Sequence, residues 1–232
     1  MNTTSSVPTP FPTQWHTVPA VPVAWMRQFR YFCFLFDKIH LLSGDIVECG
    51  LGEGSTFSML AYLAGSEEGF CSRHVWGFDS FEGWPEPDVC DASPRNPKRG
   101  EWKVSEKQVR QRLAEASIFT SFPELELRLV AGFLSDSLPS AKVQQIAFLH
   151  LDVDLYRGYH DALTCLFPKV VSGGIVAFDE YLEIHPEPPY DGAEKWPGCS
   201  RAINEFFADR PEKIIYHLGA GKYYVIKESC PV

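Results

Sequence analysis

Short apolar runs of strand length recur along the chain, and most of the stretches between them carry helical periodicity. Residues 45–49, 74–79, 125–131, 146–152 and 175–178 read as strands, and several of them end on an acid. Residues 213–218 and 222–227 are two more apolar runs joined by Gly-Ala-Gly, a linker too short for a crossover helix, so they read as an antiparallel hairpin. Helical patterns fill 55–64, 105–116 with Ser105 as N-cap, 158–167 up to Pro168, and 200–208, and a short apolar segment surrounds Leu138. Before the first strand, residues 24–42 place Trp25, Met26, Phe29, Phe32, Cys33, Phe36, Ile39 and Leu42 on one wide apolar face, which predicts a helix packed on the sheet. Strands alternating with helices and then a hairpin give an α/β fold with a mainly parallel, seven-stranded sheet and one reversed strand.

Two stretches break the alternation. The one after residue 79, through Trp84, Pro85, Pro87, Pro94, Pro97 and Gly100, follows the carboxyl end of a strand and is a lid candidate. The other covers 182–198 and includes Tyr190 and Trp196, and Gly173-Gly174 is expected to turn the chain into the fifth strand. Residues 1–22 are rich in Thr, Ser and Pro and read as an extended or mobile segment, with Phe11 and Trp15 able to pin it. The expected organisation is therefore this segment followed by one domain over 23–232.

A formal net charge of -9 argues against binding to nucleic acid or an anionic membrane, because both polyanions would repel the surface. Seven cysteines include no Cys-x-x-Cys pair and make an odd total, which reads as reduced thiols of a cytoplasmic protein rather than a disulfide scaffold or a zinc site. Neither a signal peptide nor an apolar span of about twenty residues is expected. The apolar first helix and the edge hairpin are compatible with a homodimer.

Three constellations carry candidate chemistry. Gly50, Gly52 and Gly54 follow the first strand and open a helix at Ser55 and Thr56, the arrangement that brings backbone against an adenosine-bearing ligand. Glu48 and Glu53 flank this loop, and Ser55 stands where a dinucleotide fingerprint has its third glycine. Negative charge there repels pyrophosphate and receives a cationic sulfonium, so S-adenosylmethionine fits better than a nicotinamide dinucleotide. Asp79, at the end of the second strand, suits ribose hydroxyls of either ligand. Asp152 and Asp154 follow the fourth strand and Asp179 and Glu180 the fifth, on what a parallel sheet makes one edge. Such acids repel one another unless a cation bridges them, and an oxygen-only set suits Mg²⁺ or Mn²⁺. A metal there can lower the pKa of a substrate hydroxyl. His150, His160 and His217 read as structural or exposed, whereas His185 is a loop histidine with an acid/base alternative.

The pieces Gly-Asp-Ile-Val-Glu-Cys-Gly (44–50), Gly-Phe-Asp-Ser-Phe-Glu-Gly-Trp-Pro (77–85), Gly-Phe-Leu-Ser-Asp-Ser-Leu-Pro (132–139), Leu-Asp-Val-Asp-Leu-Tyr (151–156) and Gly-Gly-Ile-Val-Ala-Phe-Asp-Glu-Tyr (173–181) resemble the macrocin O-methyltransferase (TylF-type) family. The resemblance implies a Rossmann-like class I methyltransferase fold and methylation of a hydroxyl on a sugar-containing natural product. It implies that Glu48, Gly50, Gly52, Gly54, Ser55 and Thr56 surround the methionine end of S-adenosylmethionine, with Asp79 on the ribose and Ser80, Phe133 and Leu134 near the adenine. Asp152, Asp179 and Glu180 would hold the metal, and Asp152, with Asp154 as second choice, would help remove the hydroxyl proton. Two departures stand out: Glu180 replaces the family's second aspartate, and Leu155, Tyr156 and Arg157 stand where catechol enzymes carry a lysine base. The alternatives are a catechol- or phenol-type O-methyltransferase, a nicotinamide-dependent oxidoreductase or epimerase, and a non-catalytic cofactor-binding module of the same fold.

Overall fold

Apolar residues on both faces of the central strands force those strands to be covered on both sides. The computed structural model describes residues 23–67, 73–186 and 192–229, so residues 1–22, Cys71, Tyr190 and Cys230 lie outside the description. In chain order the elements are α1 (Met26–Ile39), β1 (Asp45–Cys49), α2 (Ser55–Ser66), β2 (Val75–Asp79), α3 (Glu106–Glu115), α4 (Ile118–Ser121) and β3 (Leu127–Ala131). They continue as α5 (Leu134–Ser137), β4 (Ile146–Leu151), α6 (Tyr156–Leu166), β5 (Val170–Phe178), α7 (Pro197–Phe207), β6 (Ile215–His217) and β7 (Lys222–Ile226). The sheet order is β3-β2-β1-β4-β5-β7-β6, parallel through β5, with β7 antiparallel to both neighbours. This is the class I methyltransferase architecture expected from the sequence, including its reversed strand.

Alternation along the strands divides the core in two. Ile46, Val75, Phe148 and Ile175 pack against α1, α2 and α3, whereas Val47, Trp76, Leu149 and Val176 pack against α6 and α7. α1 buries Tyr31, Phe32, Leu35, Phe36 and Ile39, and its last carbonyls are capped by buried Arg73, whose Nη2 donates to the Ile39 carbonyl at 2.9 Å. Ser105 caps α3 as the sequence predicts: its hydroxyl accepts from the Gln108 N–H, and the Gln108 side chain accepts in return from the Ser105 N–H.

The structure differs from the sequence reading in two places. Gly173 and Gly174 do not precede a strand but lie inside β5, where the pairing to β4 jumps from Ile146↔Val170 to Phe148↔Ile175. Gly173 takes φ +80° in this bulge, a conformation a β-branched residue would resist. The short α4 was not foreseen, because four residues are too few for a periodic signal. The lid candidate contains one 3-10 turn, Val89–Asp91, and lies against the body: Trp84 is buried, Asp91 accepts from the Tyr156 N–H at 2.8 Å, and the Ser93 hydroxyl donates to the Lys195 carbonyl at 3.1 Å. The Arg95 guanidinium lies 4.5 Å from the Trp84 ring and 4.9 Å from Trp196, so it ties the two irregular stretches together.

Phe148 sits fully buried on the central strand against Phe32 and Phe36. Phe148→Ala should cost about 3–5 kcal/mol of stability, read as a lower urea midpoint; a loss below about 1 kcal/mol would contradict the packing described.

Candidate active site

The backbone ladder continues one step beyond the strands and so aligns the candidate residues. Gly50 N–H donates to the Phe78 carbonyl at 2.9 Å, Asp152 N–H to Cys49 at 2.9 Å, and Asp179 N–H to Leu151 at 3.0 Å. β1 lies between β2 and β4, the point where strand order reverses and α/β sheets open a crevice at their carboxyl ends. Gly50 is the joint of this edge: it has φ +82°, and a Cβ there would sit 1.7 Å from the Asp152 carbonyl oxygen. A Cβ on Gly52 would meet nothing within 4 Å, which leaves the outer side of the loop open to a ligand. Ser55 begins α2, and Thr56 is buried beneath the loop.

Asp79 braces the loop as well as facing the crevice. One carboxylate oxygen accepts from the Leu51 N–H and the other from the Phe81 N–H, both at 2.7 Å. Ser80 donates to the Gly83 carbonyl at 2.7 Å and accepts from the Glu82 N–H, so its hydroxyl shapes the turn after β2. Phe133 and Leu134 stand half-buried at the start of α5, beyond β3. Glu53, read from the sequence as flanking charge, is largely exposed and paired with Arg112 at 3.0 Å on α3, so of the two flanking acids Glu48 alone is turned inward.

Asp152, Asp179 and Glu180 come together at the ends of β4 and β5, each offering an oxygen within 4.8 Å of the others. Burial, with Asp179 next to it, pushes the Asp152 carboxyl well above the usual range, and burial with Asp152 does the same to Glu180. Glu180 is in hydrogen-bond contact with the Tyr159 hydroxyl, whose oxygen also lies 2.8 Å from the Leu151 carbonyl; its single proton serves one of the two. Asp154 stands beside this trio at φ +57°, its Oδ2 accepting from Trp84 Nε1 at 3.0 Å and its N–H facing Glu180 Oε2 at 3.4 Å. Burial raises the Asp154 pKa to about 7 against the stabilising bond from Trp84.

A second polar layer underlies the acids. Glu48 is fully buried and Oε1 lies 2.9 Å from His150 Nδ1, whereas Oε2 has no hydrogen-bond partner. Burial and then Asp152 push Glu48 well up, and burial lowers His150 to about 4. Lys222 on β7 reaches Asp179 from the far side, with Nζ 2.9 Å from Oδ2 and 2.6 Å from the carbonyl oxygen. Burial opposes its charge, but Asp179 more than offsets this and holds the ammonium pKa above the ordinary lysine range. Gln28 of α1 donates to Asp179 Oδ1 at 3.3 Å.

Sequence reasoning named the acids and missed their partners Trp84, Tyr159, Lys222 and Gln28, although Trp84 lies inside a quoted motif. His150 is a partnered core residue as expected, His160 is exposed, and His217 packs on Tyr31 and Phe34. His185 is not among the groups that converge on the acids; its N–H bonds to the Ala193 carbonyl. Cys33, Cys49, Cys90, Cys165 and Cys199 form no disulfide. No helix among the described residues is long and apolar enough to cross a membrane.

A family model described as macrocin-O-methyltransferase (TylF) matches residues 28–211. Demethyldecarbamoylnovobiocin O-methyltransferase of Streptomyces niveus is 30% identical over 172 residues, which are 71% of this chain and 58% of that protein. The 8-demethyl-8-(2,3-dimethoxy-alpha-L-rhamnosyl)-tetracenomycin-C 4'-O-methyltransferase of Streptomyces olivaceus is 35% identical over 144 residues, 60% of this chain and 53% of the relative. The matches thus span little more than half the length of these relatives. Among solved structures, the calicheamicin methyltransferase CalS11 superposes with a TM-score of 0.74 at 22% identity, covering 88% of this chain and 80% of its own.

The Asp154 shift has a measurable sign. Its folded pKa of about 7 lies above the usual aspartate value of about 4, so the proton it holds stabilises the folded state. That contribution is whole below about pH 4 and is lost as pH rises to about 7. In chelator, the urea midpoint should therefore fall between pH 5 and 7.5, and Asp154→Asn should reduce the fall; an unchanged fall in the variant would contradict the assignment.

Proposed function

This chain belongs to the macrocin-O-methyltransferase family, and from that premise we propose that it transfers the methyl group of S-adenosylmethionine to a hydroxyl oxygen of a sugar-containing small molecule. The observation that carries the reading is the convergence of Asp152, Asp179 and Glu180 beside the glycine loop, at one edge of the sheet.

The open face of Gly52 and the unpartnered Oε2 of buried Glu48 fit a ligand with a cationic amino-acid end. In this reading Gly50, Gly52, Gly54, Ser55 and Thr56 cradle the methionine portion, and Asp79 accepts from the ribose hydroxyls while its backbone bonds hold it still. Ser80, Phe133 and Leu134 line the adenine side. The names of the relatives, one of which carries a rhamnosyl acceptor, support a sugar-bearing substrate.

The donor set fits a hard divalent cation: three carboxyl oxygens lie within 4.8 Å of one another, and burial and mutual repulsion push Asp152 and Glu180 upward, a penalty that a bound cation would relieve. Asp152, Asp179 and Glu180 would hold Mg²⁺ or Mn²⁺, which when bound supplies a lowered pKa to a coordinated hydroxyl. Asp154 lies outside the trio and is oriented by Trp84, so it is free to accept the hydroxyl proton; Asp152 serves as ligand. Trp84, which holds Asp154, packs edge-on against Trp196 and under the Arg95 guanidinium, and in this reading that stack helps position the acceptor.

The test is transfer of labelled methyl from S-adenosylmethionine to a panel of sugar-bearing and phenolic acceptors. Sugar-bearing acceptors should be methylated, chelator should abolish turnover and Mg²⁺ restore it, and Asp154→Asn should lower kcat by about 10²- to 10⁴-fold. Turnover fully retained in excess chelator or in Asp179→Ala would remove the metal from the account. Binding of S-adenosylmethionine with no turnover on any acceptor would favour a non-catalytic module.

A further inference from the structure

The reversed strand β7 does more than close the sheet. Its register pairs Tyr223 with Phe178, and this sets Lys222 beside Asp179, the first residue after β5. The ammonium touches both the carboxylate, at 2.9 Å, and the carbonyl, at 2.6 Å, of that one residue. The other carboxylate oxygen accepts from Gln28 at 3.3 Å and lies 3.9 Å from His150 Nε2. Both oxygens of Asp179 are therefore engaged, and a cation arriving among Asp152, Asp179 and Glu180 must share or displace a partner that is already there.

The geometry points to Lys222 as a built-in counter-cation that competes with the divalent metal for Asp179, so that it stabilises the empty acid cluster and weakens metal binding. This rests on the metal reading given above. A fixed positive charge within a few ångströms of a divalent ion, in a largely buried setting, repels it far more than the same charge would in water. Its removal should free one oxygen of Asp179 and at the same time leave the acids without their resident positive charge. Metal affinity and metal-free stability should then move in opposite directions, which a merely structural lysine would not cause.

The experiment uses the full chain and Mn²⁺ alone as probe, with free Mn²⁺ read by electron paramagnetic resonance. Wild type, Lys222→Gln, Lys222→Arg and Asp179→Asn are compared. Lys222→Gln keeps a donor for the Asp179 carbonyl and should bind Mn²⁺ roughly tenfold more tightly than wild type or more. Lys222→Arg keeps the charge and should stay near wild type. Melting provides a second readout: without metal Lys222→Gln should melt below wild type, and saturating Mn²⁺ should narrow that gap, because tighter binding adds more stability. If wild type binds Mn²⁺ in an Asp179-dependent way while Lys222→Gln binds no more tightly, or the melting gap is the same with and without Mn²⁺, this inference falls alone. If wild type and Asp179→Asn bind Mn²⁺ alike, the metal reading falls and this inference with it.

Discussion

Carboxyl groups brought together away from water must be neutralised, and the rest of this structure follows from how that is done. The ladder that sets Asp152 and Asp179 side by side is part of the sheet itself, so their proximity cannot relax without unpairing β4 and β5. Burial and repulsion instead push the Asp152 and Glu180 carboxyls well upward, the Lys222 ammonium pairs with Asp179, and the Trp84 N–H donates to Asp154. Within the trio of Asp152, Asp179 and Glu180, a divalent cation could take over this neutralising role. In the proposed reaction, removal of a proton from a weakly acidic hydroxyl calls for concentrated negative charge of this kind, and the fold carries the electrostatic strain of keeping it.

The sheet also joins this cluster to the glycine loop. Gly50 has no side chain because the Asp152 carbonyl occupies its space, so the turn proposed to hold the methyl donor and the acids proposed to hold the acceptor are in contact through backbone. Errors of an ångström between donor and acceptor are costly to methyl transfer, and a backbone contact is the stiffest way to prevent them. The two irregular stretches meet in the Trp84, Arg95 and Trp196 stack, and Trp84 reaches the acids through Asp154.

Much of this was legible in the chain. Apolar runs marked the strands because a parallel sheet is buried on both faces, and acids at their ends were visible because strand ends are where polarity returns. Ser105 and Gln108 announced α3 by a local exchange of hydrogen bonds. What the sequence hid was long-range. Lys222 lies 43 residues from Asp179, and only the antiparallel register of β7 brings them together. Trp84 and Asp154 are 70 residues apart and meet through an irregular stretch that no periodicity describes. Gly173 and Gly174 look like a turn because local patterning cannot distinguish a turn from a bulge inside a strand. Glu53 was misjudged for a similar reason: its partner Arg112 lies on another helix, and the ion pair draws it outward.

The central claim is that the acids at the ends of β4 and β5 hold a divalent cation next to the methyl donor. The most direct measurement is an anomalous difference map from crystals grown with S-adenosylhomocysteine and Mn²⁺. The account predicts a manganese peak bounded by Asp152, Asp179 and Glu180, with the homocysteine end lying along Gly50 to Gly54. S-adenosylhomocysteine bound along the loop with no manganese at those acids would contradict it.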